Sequence, residues 1–260
     1  MTHDSFPGFA AADLAFLTGL AANNEREWFT ANRSVYDEGL KPTLAALIVA
    51  LNAAFEARDL PLAGHPRHTV FRIHRDVRFS RDKKPYKTHV SATLTRDGQK
   101  MSPGMLYVHI EPEGGSMPAF DPETIDPLDP TTFPSADGAD AGYSGHGPFA
   151  AAGFYLSERP QIDAFRRAIV AAPKAWLAVE AALLAKDLPL EPGAPVKRMP
   201  KGFEDQAGGP LEAALKRTRW LVRRDLTGDE IGGARLPEVI ADFSADARPL
   251  LDFGWKALVG

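Results

Sequence analysis

Three short runs near the middle of the chain alternate apolar and polar residues with no helical pattern between them: HTVFRIH (68–74), HVSATLT (89–95) and GMLYVHIE (104–111). A period of two sends successive side chains to opposite faces of a strand. No helical pattern separates these runs to serve as a crossover, so antiparallel neighbours are expected rather than βαβ units. AAAGFYL (150–156) is a fourth strand candidate. One face of such a sheet carries Phe71, Ile73, Val90, Ala92, Leu94, Leu106, Val108 and Ile110. The opposite face carries Arg72, His74, His89, Ser91, Thr93, Tyr107 and His109.

The flanks read as helix. Leu14, Leu17 and Leu20 recur at turn spacing, then Trp28, Phe29, Val35 and Tyr36, then Leu44, Leu47, Ile48, Leu51 and Phe55 behind Pro42. On the C-terminal side Ile162, Phe165 and Ile169 follow Pro160, and Trp176, Leu177, Leu183 and Leu184 follow Pro173. After the Pro/Gly-rich connector LEPGAPVKRMPKG (190–202), LEAALKRTRWLV (211–222) is read as the start of another helix, with apolar stretches at 236–243 and 250–259 beyond it. Helices over 10–58, strands over about 68–111 and 150–156, and helices again over 160–259 predict an α+β fold. The expectation is a single domain over 1–260, its mostly antiparallel sheet packed against N-terminal and C-terminal helices.

With 260 residues, 44 % hydrophobic and 25 % charged, the chain has the composition of a globular domain rather than a disordered or fibrous one. It has no cysteine, which excludes disulfides, thiolate nucleophiles and cysteine-held zinc or iron–sulfur centres. The N-terminus has Asp4 and no basic residue before Arg26, unlike a secretory signal. No window approaches the roughly 20 apolar residues of a transmembrane helix, so a cytoplasmic protein without a membrane partner is expected. There is no G-x-S-x-G elbow, no phosphate-binding G-x-x-x-x-G-K-[ST] loop and no G-x-G-x-x-G fingerprint, so no cofactor is named.

The net charge of -4 conceals a strong polarity. Residues 67–87 carry eight basic side chains against Asp76 and Asp82, and residues 197–224 carry eight against Glu204, Asp205 and Glu212. Residues 101–158 hold nine acids and no lysine or arginine. Within that stretch, 112–149 is Pro/Gly-rich and reads as a long surface loop. Its DPETIDPLDP run lacks the glycine and terminal glutamate of a calcium-binding EF-hand loop.

The segment RIHRDVRFSRDKKPYKTH (72–89) concentrates the chemistry. Three readings are open: a structural turn whose cations pair with carboxylates, a site for an anion, and a nucleic-acid contact with Phe79 or Tyr86 stacking on a base. Arginine suits phosphate or carboxylate because its planar fork bonds both oxygens, and lysine adds a mobile point charge. The leading expectation is a pocket for a phosphate- or carboxylate-bearing small molecule lined by Arg72, Arg75, Arg78, Lys83 and Lys87, with Asp76 and Asp82 orienting them. The alternatives are a nucleic-acid module using blocks 67–87 and 197–224, and a non-catalytic interaction protein docking through residues 101–158 or its helical third.

If the strands pair in this way, His74, His89 and His109 share a face. Three histidines on adjacent strands is a way to hold zinc or iron, but neighbouring arginines repel a cation and no H-x-H or H-E-x-x-H spacing is present. No metal is assigned. His74 and His89 are candidate proton carriers and Tyr86 a candidate donor to a substrate.

NNEREWF (23–29), NRSVY (32–36) and RIHRDVRFSRDKKPYKTH (72–89) together resemble a family catalogued as domain of unknown function 2461. The resemblance continues through YVHIEPEGG (107–115), AGFYL (152–156), AFRRAI (164–169), KRMPKGFE (197–204) and LEAALK (211–216). It implies one domain over nearly the whole chain, and a shared pattern that includes Arg72, Arg75, Asp76, Arg78, Phe79, Asp82, Lys83, Pro85, Tyr86 and Lys87. It supplies no catalytic residues. The acidic stretch departs from the family pattern and reads as inserted or rewritten.

Overall fold

A computed structural model of the chain describes residues 6–78, 82–113, 147–193 and 195–258. Phe79 and Arg81, and residues 114–146 of the expected acidic loop, lie outside the described residues.

The architecture is α+β. Helices α1 (Ala11–Ala22), α2 (Arg26–Ala31) and α3 (Lys41–Glu56) come first, with a π-helical turn, Val35–Leu40, leading into α3. Strands β1 (Val90–Thr95), β2 (Met105–Ile110) and β3 (Phe149–Tyr155) follow, then helices α4 (Arg159–Ala171) and α5 (Pro173–Leu184). The short α6 (Glu212–Leu215), strand β4 (Arg219–Asp225) and helices α7 (Gly228–Gly232), α8 (Leu236–Asp246) and α9 (Arg248–Leu258) complete it. The four strands lie in sequence order, each antiparallel to the next.

Strand β4 corrects the expectation of continuous helix over 160–259. LEAALK is helical for one turn, but the next residues alternate: Trp220 and Val222 enter the main core while Leu221 faces the other way. The buried Arg166 of α4 fixes the changeover, its Nε donating to the Leu215 carbonyl at 2.8 Å and Nη2 to the Arg217 carbonyl at 2.9 Å. Those oxygens end α6 without a further helical turn to satisfy them.

The first predicted strand is also corrected. HTVFRIH runs beside β1 and the residues leading into it through isolated bridges, Val70 to Ala92 in β1 and His74 to Tyr86 ahead of it, rather than as a regular strand. The break shifts the alternation by one residue. Ile73 packs in the main core, whereas Phe71 packs with Tyr107, Phe149 and Ala151 on the opposite face. Residues 63–70 and 190–191 border the outer edges of β1 and β4, pairing backbone groups that exposed edges leave open.

One sheet face supplies Val90, Ala92, Leu94, Leu106, Val108, Ala150, Ala152, Phe154, Trp220 and Val222 to a core shared with the helices of both flanks. The helical run Val35–Glu56 has the length and mean hydropathy, 1.2, of a membrane span, yet its Leu44, Leu47, Ile48, Leu51 and Phe55 are buried in that core. Helix α9 approaches β3 and α4 most closely at Gly254, where a Cβ would fall 2.2 Å from the Phe154 ring and 2.6 Å from that of Phe165.

Candidate functional site

The second face of the sheet is polar and nonetheless buried. Direct cross-strand pairing sets its side chains in rows: Ser91, His109, Phe149 and Asp225 in one, and Thr93, Tyr107, Ala151 and Arg223 in the next. His89, just before β1, and Glu111, just after β2, continue the same alternation along their strands beyond the first row. His89, Ser91, Thr93, His109 and Glu111 are each at most 1 % exposed. A sheet face with a purely packing role is normally apolar, as the opposite face is.

Three of its groups form a chain. The Tyr107 hydroxyl lies 3.1 Å from Nδ1 of His109. On the far side of that ring, Glu111 Oε1 lies 3.3 Å from Nε2, off the line of a well-directed hydrogen bond. The His109 ring is stacked on Phe149 at 4.8 Å and tilted against His89 at 4.1 Å between centroids. Burial, and next the adjacent His89, hold the His109 pKa down to about 3 against the upward pull of Glu111. The imidazole is therefore neutral near pH 7. The carboxylate favours the proton on Nε2, which leaves Nδ1 to accept from the Tyr107 hydroxyl. Such a chain can position a phenol and take up its proton when it gives one away.

Cations surround this row. Lys87 is 7 % exposed, and its ammonium lies 5.2 Å from the centroid of Phe71. Lys100 places its ammonium 3.9 Å from the same ring and donates to the Val70 carbonyl at 2.9 Å. The Arg223 guanidinium lies 4.1 Å from the Phe149 centroid and pairs with Asp225 at 2.6 Å. A cation over an aromatic face is attracted to the ring's negative quadrupole, which also fixes its position. Among the described residues no group of three or more His, Asp or Glu has a metal-holding arrangement.

The residues singled out in the sequence are divided by the fold. Lys87 and His89 reach the polar sheet face. Tyr86 and His74 turn to the other side: Tyr86 stacks on Phe29 at 4.2 Å and lies in the main core, with His74 5.1 Å from Tyr86 and 5.8 Å from Phe29. The shared face expected for three histidines thus holds for His89 and His109 and fails for His74, whose bridge to Tyr86 follows the slip in register at Ile73. Arg75 pairs with Asp82 at 2.6 Å, and Arg78 with Asp76 at 2.5 Å. The Arg78 partnership holds the exposed Asp76 carboxyl down to about 2. Lys83 donates to the Val77 carbonyl at 3.0 Å, and Arg72 is exposed. Lys100, Tyr107, Glu111 and Arg223 were not among the sequence candidates. The strand alternation already placed Tyr107 on this face, and reading RWLVRRD in period two would have added Arg223.

The fold also shows how two distant motifs meet. Asn24, from NNEREWF, donates from Nδ2 to the Tyr86 carbonyl at 2.9 Å and accepts from the Tyr86 amide at 3.0 Å. That amide clasp and the Phe29–Tyr86 stack anchor the strand leading to Lys87 and His89 against the N-terminal helices.

A model of the family described as "Conserved hypothetical protein (DUF2461)" matches residues 12–120 and 140–253, and the chain belongs to that family. Residues 121–139, left between the two matched stretches, fall within the acidic segment. A search of curated proteins and a search of solved structures each returned no match.

Proposed function

We propose that this chain, as a member of the family, binds a small anionic molecule on the polar face of its sheet, with Tyr107, His109 and Glu111 placed to exchange a proton with it. The observation that carries the reading is the burial of Lys87, two residues before the buried His89, on the face that also buries His109 and Glu111. Taking an ammonium and a carboxylate out of water costs several kcal/mol each before any pairing, roughly what a packing role would avoid by using apolar side chains. Lys87, Lys100 and Arg223 bring three cations to a face that also holds Glu111 and Asp225, and phosphate or carboxylate is a ligand that such cations recognise. Of the cations expected from the sequence, Lys87 is the one assigned to this site. The ion pairs of Arg75 and Arg78 support a structural part for those two arginines.

Calorimetric titration with inorganic phosphate, sugar phosphates, nucleotides and carboxylates tests the reading. Binding by the wild type that is lost in Lys87→Met and kept in Arg78→Ala is the expected result. Absence of binding by the wild type, or equal binding by Lys87→Met, contradicts it. Loss in Arg78→Ala alone moves the site to the basic run around Arg78. Binding of oligonucleotides with affinity falling steeply in salt points instead to a nucleic-acid module.

A further inference from the structure

The polar face carries a second feature, an apolar hollow next to the cations, lined by Phe71, Met101, Met105, Tyr107, Tyr155 and Leu221, with Thr93 and Ala151 at its floor. Its two buried hydroxyls are already engaged: Thr93 donates to the Lys100 carbonyl at 2.7 Å, and Tyr107 meets His109 at 3.1 Å. A wholly polar guest would gain little from such walls, whereas an apolar group would gain the free energy of leaving water.

The walls also carry the charges. Lys100 lies 3.9 Å from the Phe71 centroid and Arg219 3.9 Å from that of Tyr155, so cations stand on two of the rings that border the hollow. Tyr107 belongs to both regions, its ring in the wall of the hollow and its hydroxyl in the chain to His109 and Glu111. We infer that the ligand is an organic monoanion or phosphomonoester bearing a short alkyl or aryl group. The apolar group occupies the hollow, and the anionic group meets Lys87 and Lys100 at its rim. This rests on the anion-binding reading of the same face and narrows its ligand to an amphipathic one.

The test is calorimetric titration of the full chain with inorganic phosphate, methyl, propyl and phenyl phosphate, and with benzyl alcohol as a neutral arm. Each methylene buried strengthens binding about fourfold. Propyl and phenyl phosphate are therefore expected to bind at least about tenfold more tightly than inorganic phosphate, and benzyl alcohol far more weakly than either. Leu221→Trp, which fills the hollow, and Met101→Gln, at the 48 % exposed rim, should each reduce that increment while inorganic phosphate binds as before. Met101→Gln keeps the test available if the buried tryptophan prevents folding. Inorganic phosphate binding with no increment from the apolar group overturns this inference and leaves the anion site standing. No binding by any anion overturns both, and benzyl alcohol binding as tightly as phenyl phosphate removes the charge requirement.

Discussion

The carboxylate of Glu111 lies 3.3 Å from the imidazole of His109, and neither side chain reaches solvent. The histidine is held neutral, with a folded-state pKa of about 3 against 6.5 for a free side chain. Below pH 6.5 the unfolded chain therefore binds a proton that the folded chain refuses. The stability associated with His109 is complete above about pH 6.5 and is lost as the pH falls towards 3. The loss runs at up to about 1.4 kcal/mol per pH unit for one proton. Urea unfolding at intervals from pH 7 to 4 should show this slope in the wild type and a shallower one in His109→Phe. Parallel curves would place the acid sensitivity elsewhere.

Asn24 holds both backbone groups of Tyr86. Removing its amide strands a donor and an acceptor beside a buried ring, at about 1–3 kcal/mol each. Asn24→Ala should lower the unfolding free energy by about 2–4 kcal/mol. Asn24→Asp keeps the acceptor for the Tyr86 amide and should cost less. Equal losses in the two variants would mean that the clasp is not the source of the effect.

Gly254 sits where the Phe154 and Phe165 rings leave no room for a Cβ. Both rings are fully buried, so neither has free space into which to move. Gly254→Ala should destabilise by about 1–3 kcal/mol through overpacking, although alanine is the better helix former. Lys256→Ala, on the exposed side of the same helix, should stay within about 0.5 kcal/mol of wild type. Thermal unfolding of the pair checks this, and an unchanged Gly254→Ala would show that α9 can move away from the sheet.

The α+β layout was legible because period-two and period-3.6 patterns occupy separate parts of the chain. Ser91, Thr93, Tyr107 and His109 fall on one face as the alternation required. The same rule held at Ile73 but failed at Phe71 and His74, since a break between isolated bridges shifts the register by one residue and no single side chain announces it. It failed again at β4, where LEAALK has strong helix formers immediately before an alternating run and Arg166 supplies the tertiary stop. Charge density drew attention to Arg75 and Arg78, yet their carboxylate partners lie only a few residues away and the pairs form locally. Lys87, in the same run, differs only in where the backbone turns it. That is a property of the backbone at Tyr86, secured by Asn24, and not of the local spacing.

The proposed site for anions is the polar face of the sheet. The direct measurement is an NMR titration of the isotope-labelled chain with inorganic phosphate and phenyl phosphate, following backbone amides and histidine ring signals together. Saturable shifts at His89, His109 and the amides of β1 and β2, absent in Lys87→Met, are the predicted result. Shifts confined to the basic run at residues 75–78 and 82–84, or none at any site, would contradict it.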